Sequence, residues 1–467
     1  MNNSLLILLP VILTAAGALV ALATEPLVRD ANKQKVAPWL VAVFTVLAAA
    51  SLIVSPDGTY YHVYAMDPMR RLFSLSVLFC LLLGVGGVQW TLAREKFLGG
   101  EAYGLLALAS TGALLMTFST DFLALFIGME LAAFPVYALV GIRRSDSKGN
   151  EATFKYFVTG AVMSALYLYG ASLCYGASGS TAFDASAIGG RELLSFAGTL
   201  LILVGLFFKA GAFPAHFWVA DVYTGAPVAV TAFMAAVVKV GALAALASLW
   251  QASNPGASVR VVVALIALVS VIFGAFGGLA QKSVRRILAY SAVMNAGFLA
   301  TALLLYKDTG EFFGGALQFF LVTYAVASAG ALTGVAYLSG AGDERETLDG
   351  LRGLARKAPG VGTATVICLA SLAGLPPAAG FLAKFELFTG LFKGGYGSLA
   401  SAAFILSLIA AVYYLRIAYV LFTKPEGELP DVAHEAPESA SWLLKAGVAI
   451  AALAMLVLSV FPDWVCF

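Results

Sequence analysis

The feature that most restricts this chain is its series of long apolar runs. Several exceed the ~18 residues that read as a membrane span. A soluble chain of this kind could not cover its own surface with polar groups. Of 467 residues, 61% are hydrophobic and only 12% charged, where an ordinary soluble domain carries about 25% charged residues. These figures exclude a soluble enzyme, a secreted disulfide scaffold and a disordered protein. The runs are continuous rather than alternating, which also excludes an outer-membrane barrel. The fold class that remains is an all-α polytopic membrane protein. A net charge of +2 leaves no basic excess for nucleic acid.

Apolar stretches and their breakers predict about fourteen transmembrane helices. Their limits are 4–24, 38–55, 72–91, 101–118, 121–142, 153–175, 196–218, 225–250, 259–280, 286–306, 313–339, 361–395, 399–423 and 440–462. The N-terminus (Met-Asn-Asn-Ser) lacks the basic region of a cleaved signal, so the first run reads as a retained span. Lys and Arg crowd the loops on the side reached after the first span, Arg143, Arg144, Lys282, Arg285, Arg286, Arg352 and Arg356 among them. That bias places this side in the cytoplasm and both termini outside. Asp343–Lys357 reads as a short amphipathic connector on the cytoplasmic surface, and 424–439 as an acidic loop.

The seventh and twelfth spans are interrupted by glycine and proline. They lie five spans apart, and five is odd. The blocks of spans 4–8 and 9–13 are therefore expected to be two inverted five-helix repeats. Broken helices at matching places in inverted repeats point to a transport site. The chain divides into a three-helix segment (1–100), a first repeat (101–250), a second, inverted repeat (259–423) and a loop with a C-terminal helix (424–467).

An ionisable group near the bilayer centre costs at least ~2.5–3.5 kcal/mol, so each needs a reason. Glu130 lies nine residues beyond Asp121, about 13 Å along a helix and close to the midplane. Lys239 is twelve residues past Pro227 and too central to snorkel. Lys209 and Lys384 belong to the broken spans. Pro214 frees the carbonyl of Ala210, and Pro376 and Pro377 free those of Leu372 and Ala373. A lysine beside each break is a partner for such carbonyls. Charges at this depth mark ion paths. They also serve as internal ion pairs or as repairs to a broken helix, and the two uses are compatible. Lys155, near the start of its span, reads from position alone as a snorkelling lysine, as does Arg416. His216, beside the break and near Lys209, is a possible proton relay.

Cys80, Cys174, Cys368 and Cys466 show no paired spacing, and the three histidines show no metal-ligand spacing. No Gly-rich nucleotide fingerprint follows a strand. No cofactor and no metal is expected on this chain.

The run Phe-Lys-Ala-Gly-Ala-Phe-Pro-Ala-His-Phe-Trp-Val-Ala-Asp-Val-Tyr-Thr-Gly-Ala-Pro (208–227) resembles the antiporter-like subunits of respiratory complex I. Its Asp-Val-Tyr-x-Gly-Ala-Pro end is more similar to the subunit N group than to subunits L or M. Gly-Met-Glu-Leu (128–131), Glu-Ala-Thr-Phe-Lys-Tyr-Phe (151–157), Lys-Ser-Val-Arg-Arg-Ile-Leu-Ala-Tyr-Ser (282–291) and Leu-Ala-Gly-Leu-Pro-Pro-Ala-Ala-Gly-Phe-Leu-Ala-Lys-Phe (372–385) share the resemblance. Ala215-His216 and Ala220-Asp221 depart from the family's usual residues there. By resemblance, Glu130, Lys155, Lys209, Lys239 and Lys384 match the glutamate and lysines on helices 5, 6, 7, 8 and 12. The resemblance implies a proton-translocating, non-redox subunit of an NADH:quinone oxidoreductase in the bacterial inner membrane. Its route would run from the cytoplasm past Lys209 and Glu130, then Lys239, to the periplasm by Lys384. NADH, FMN, iron–sulfur clusters and quinone would belong to partner subunits. The implied neighbours are M-, K- and J-like subunits, the lateral helix of an L-like subunit, and lipid. The alternatives are a subunit of a multi-subunit sodium/proton antiporter and a purely structural spacer.

Overall fold

A computed structural model describes residues 3–28, 30–95, 99–183, 193–253, 255–305, 314–424 and 438–465. The expected acidic loop (424–439) lies almost wholly outside the described residues, as do Arg191, Lys307 and Cys466. The N-terminal segment holds α1 (Leu9–Thr24), α2 (Asp30–Val54) and α3 (Pro68–Arg94). Between α2 and α3 a hairpin of β1 (Gly58–Tyr60) and β2 (Tyr64–Met66) pairs Gly58 with Met66, a feature not anticipated from sequence. The first repeat follows as α4 (Glu101–Phe118), α5 (Phe122–Val140), α6 (Ser147–Ser178), α7 (Leu193–Ala210), the short α8 (Trp218–Gly225), α9 (Val228–Phe233) and α10 (Lys239–Ser253). The second comprises α11 (Ala257–Leu279), α12 (Val284–Leu303), α13 (Gly314–Leu338), α14 (Pro359–Ala373), α15 (Ala379–Lys393) and α16 (Gly397–Phe422), and α17 (Glu438–Val460) closes the chain.

Thirteen of the described helices are long and apolar enough to cross a membrane, with α9 and α10 forming one continuous span, Val228–Ser253. The fourteenth crossing is shared by α14 and α15, of 15 residues each. Local chemistry sets the ends. Asp121 caps α5 by accepting from Leu123 N and Ala124 N at 2.8 and 3.0 Å. Proline opens α3 and α14.

The helices pair in the same way in both repeats. The first packs on the second (α4 on α5; α11 on α12) and on the last (α4 on α10; α11 on α16), while the third packs on the broken span (α6 on α7; α13 on α14). The shared neighbour pattern over five spans is that of an inverted repeat. Helices α10 and α13 are enclosed by protein on every side.

Both breaks form where sequence placed them, with one correction of extent. The seventh span does not resume and finish by 218. Gly211 (φ +77°) ends α7, and its second half, α8, runs to Gly225. Gly374 (φ +78°) ends α14 in the same left-handed conformation, which a side chain would strain. The Asp343–Lys357 segment forms a connector, with one unforeseen feature. It mixes exposed and buried residues as a connector would, with a single 3-10 turn at Leu354–Arg356, but Asp343 at its start is buried.

Candidate functional site

A line of buried polar groups follows the two breaks. At one end Glu130 on α5 faces Lys209 on the last turn of α7, with Nζ to Oε1 at 3.8 Å. That is an ion pair too long for a hydrogen bond. Lys209 is 1% exposed and its Nζ makes no hydrogen bond to protein. Ser164 on α6 donates to the same Glu130 oxygen at 2.5 Å. The rings of Phe208 and Tyr137 stand 5.7 and 6.0 Å from the ammonium. Lys209 thus turns to a carboxylate and not, as the proline argument suggested, to the carbonyls of its own break. Around the break, Trp218 Nε1 donates to Phe208 O at 3.0 Å and Phe213 N to Ser270 Oγ at 2.9 Å.

The lysine that lies against the first break is Lys239. A Cβ built on Gly211 would stand 3.4 Å from its Nζ. Lys239 is buried, donates to Ala292 O on α12 at 3.1 Å, and lies 5.9 Å from the rings of both Tyr223 and Tyr324. The five residues before it, Met234–Val238, form a π-helical turn. Such a bulge adds a residue to the turn, and it frequently marks functional sites.

The second break behaves as the prolines imply. Lys384 donates to Leu372 O at 2.9 Å and Ala373 O at 3.1 Å, the two carbonyls freed by Pro376 and Pro377. Its third donor goes to Ser407 Oγ at 3.1 Å. Gly374 again lies on the ammonium, 3.3 Å from a built Cβ. Among the described residues no carboxylate is within 4.0 Å of Lys239 or Lys384. A void of ≈ 10 Å³ is bordered by Tyr324, Asn295, Ser371 and Lys384, and the Tyr324 ring also lies 5.9 Å from the Lys239 ammonium. The void is about the size of one water. Tyr324 therefore borders both sites.

The other expected residues stand apart. Lys155 is half-exposed and bonded to Glu151 at 2.7 Å and Asp221 at 2.9 Å. Arg286 reaches the same aspartate at 3.2 Å, and these groups line a recess of ≈ 130 Å³. His216 is half-buried in the first break, its ring 5.8 and 5.1 Å from those of Phe213 and Phe273. No bond joins it to Lys209 or to a carboxylate.

One ionic cluster escaped the sequence reading. Asp343 accepts from Arg143 at 2.8 Å, Ser339 Oγ at 2.9 Å and Val228 N at 3.1 Å, with Arg94 at 3.6 Å. Arg143 also pairs with Glu95. Arg285 donates to Ala226 O at 3.0 Å. Burial alone would raise the Asp343 carboxyl, but Arg143, Arg285 and Arg94 outweigh it and hold it below the ordinary carboxylate value. The cluster joins α3, the α5–α6 loop, the start of α9 and the connector, so it clamps the two repeats at one end. Three of the cysteines, Cys80, Cys174 and Cys368, are buried as free thiols.

Two broken helices in repeats of opposite topology, with buried lysines at each break, define an antiporter-like membrane subunit. The chain belongs to the NADH:quinone oxidoreductase/Mrp antiporter transmembrane family, which it matches over residues 119–410. It is 37% identical to NADH-quinone oxidoreductase subunit 14 of Thermus thermophilus, over 89% of this chain and 91% of that one. It is 32% identical to NADH-quinone oxidoreductase subunit N of Maricaulis maris, over 100% and 97%. A chain of respiratory complex I from Thermus thermophilus superimposes with a TM-score of 0.83 at 34% identity, covering 97% of each chain. The resemblance to subunit N read from the sequence and the family agree.

Proposed function

We propose that this chain is a proton-translocating subunit in the membrane arm of an NADH:quinone oxidoreductase. Protons would be taken up on the cytoplasmic side near Glu130 and Lys209, with Lys155 at the surface recess and His216 as a possible relay. They would pass Lys239 and leave toward the periplasm by Lys384. The observation that carries this reading is the buried line itself: three lysines without hydrogen-bonded carboxylates, two of them lying on the glycines of broken helices. Buried cations so placed are costly, and at this depth they mark ion paths. The small void beside Lys384 and Tyr324 offers a place for a water on the way from Lys239.

The switch is electrostatic. Glu130 near Lys209 favours the charged ammonium; its withdrawal leaves that charge in an apolar site and favours release of the proton. Electron transfer would occur in other chains, which would hold NADH, FMN, iron–sulfur clusters and quinone. The subunit would sit in the bacterial inner membrane with both termini periplasmic, beside M-, K- and J-like subunits and the lateral helix of an L-like subunit. The test is Lys239→Ala in the intact complex. An unchanged proton-to-electron ratio with unchanged quinone reduction would reject the route.

A second reading, a subunit of a multi-subunit sodium/proton antiporter, has the family description itself in its favour. A native gel stained for NADH oxidation separates the two. A large stained assembly supports the first, and sodium-dependent transport from an unstained assembly supports the second.

A further inference from the structure

We propose that the crevice between α15 and α16 binds a long-chain carboxylate, a free fatty acid, with its headgroup against Lys384. The crevice has a volume of ≈ 630 Å³, inside the ~300–1,000 Å³ of small-molecule sites. Its walls are Phe381, Phe385, Phe392, Phe404, Ile405 and Leu408, all of them exposed apolar side chains. Its polar end is made by Lys384 and Ser407 at the break after Gly374.

The headgroup follows from what Lys384 lacks. Its three donors are already taken by Leu372 O, Ala373 O and Ser407 Oγ. A neutral headgroup such as an alcohol, an ester or a quinone carbonyl therefore has no free hydrogen bond to gain from the ammonium, only one from the Ser407 hydroxyl. What is missing is a countercharge, because the three acceptors are dipoles and, among the described residues, no carboxylate lies within 4.0 Å. An anion on a chain that fills an apolar slot supplies it.

The consequence rests on the proton-translocation reading. Lys384 separates this outer crevice from the inner void it shares with Tyr324 and Asn295. A carboxylate parked on the outer side stabilises the charged lysine and slows its discharge, so a fatty acid bound there inhibits the subunit.

The test uses membranes carrying the intact complex and a diazirine-bearing palmitic acid, with labelled peptides mapped by mass spectrometry. Labelling is expected on α15 and α16, competed by palmitate and not by methyl palmitate. Ile405→Trp fills the slot and is expected to cut labelling about tenfold while quinone reduction stays unchanged. Lys384→Gln keeps the slot and loses a contact to a charged group, so labelling falls about tenfold or more and the preference for acid over ester disappears. Equal competition by the ester overturns the proposal, leaving only an apolar slot. Labelling of these helices by an anionic phospholipid probe but not by the fatty acid overturns it in favour of a bilayer lipid. No labelling by either probe overturns it in favour of a neighbouring chain that covers the crevice. Labelling is read without proton pumping, so failure of the site is distinguishable from failure of the translocation reading.

Discussion

Replacing Glu130 by glutamine isolates the electrostatic switch. The substitution keeps size and the capacity to accept from Ser164, and removes only the charge. At 3.8 Å and an effective dielectric of about 20, the pair interacts with about 4 kcal/mol. Lys209 has no hydrogen bond to fall back on, so its ammonium loses the one group that compensates its burial. If the approach and withdrawal of Glu130 drive proton uptake and release, a large share of those 4 kcal/mol disappears from the cycle. Each 1.4 kcal/mol is about tenfold in rate, so proton pumping should fall tenfold or more. The assay is the purified complex in liposomes, with quenching of a pH-sensitive dye followed beside NADH-driven quinone reduction. Glu130→Asp keeps the charge one methylene further back and should recover part of the loss. Wild-type pumping per electron in Glu130→Gln, at wild-type rate, would refute the switch, whatever the stability of the variant.

Three further outcomes follow from other parts of the molecule. Lys239→Met keeps an unbranched stem and deletes the ammonium that stands 5.9 Å from the Tyr223 and Tyr324 rings, so the complex should assemble, by native gel, while its proton-to-electron ratio falls. Gly380→Ala should disturb assembly, because its Cβ would stand 1.9 Å from Ser371 O, a backbone atom that cannot swing aside; normal amounts of intact complex would contradict this. Asp343→Asn removes the carboxylate that Arg94 and Arg143 share, while Arg143 keeps Glu95 and Arg285 keeps Glu346, and should cost about 1.5–3 kcal/mol, seen as a lowered melting temperature at pH 7. Because the Asp343 carboxyl is held below its ordinary value, its contribution is fully present above the ordinary carboxylate range. It is lost as pH falls through the lowered value. The gap between wild type and variant should therefore be constant from pH 8 to about pH 5 and close only in stronger acid.

What sequence discloses here is what depends on composition and on backbone chemistry. Apolar length gives the spans. Pro376 and Pro377 name the carbonyls that Lys384 takes, since a proline's effect on the residue four back is local. The partner of Lys209 is tertiary, and the same local argument sent it to the wrong acceptor. Nothing in Met-Ala-Ala-Val-Val distinguishes a π turn from an α turn, so the bulge before Lys239 was illegible. Asp343 sits in a polar segment that reads as solvated. Only the arrival of Arg94 and Arg143 from distant elements makes its burial tolerable. Ser164 and Tyr324 carry no signal in one dimension, because hydroxyls are common in helices and only their neighbours give them a part.

The two breaks are related by the repeat, yet their lysines are held by opposite means. Lys209 is matched by a charge and by no dipole; Lys384 is matched by three dipoles and by no charge. The two ends therefore differ in kind and are not mirror images. One end responds when a side chain carrying a full charge shifts by an ångström. The other responds when a loop of backbone tightens or loosens around its cation. A stimulus that reaches both ends at once, such as a change in membrane voltage or a tilt of the enclosed α10 and α13, therefore acts on them unequally.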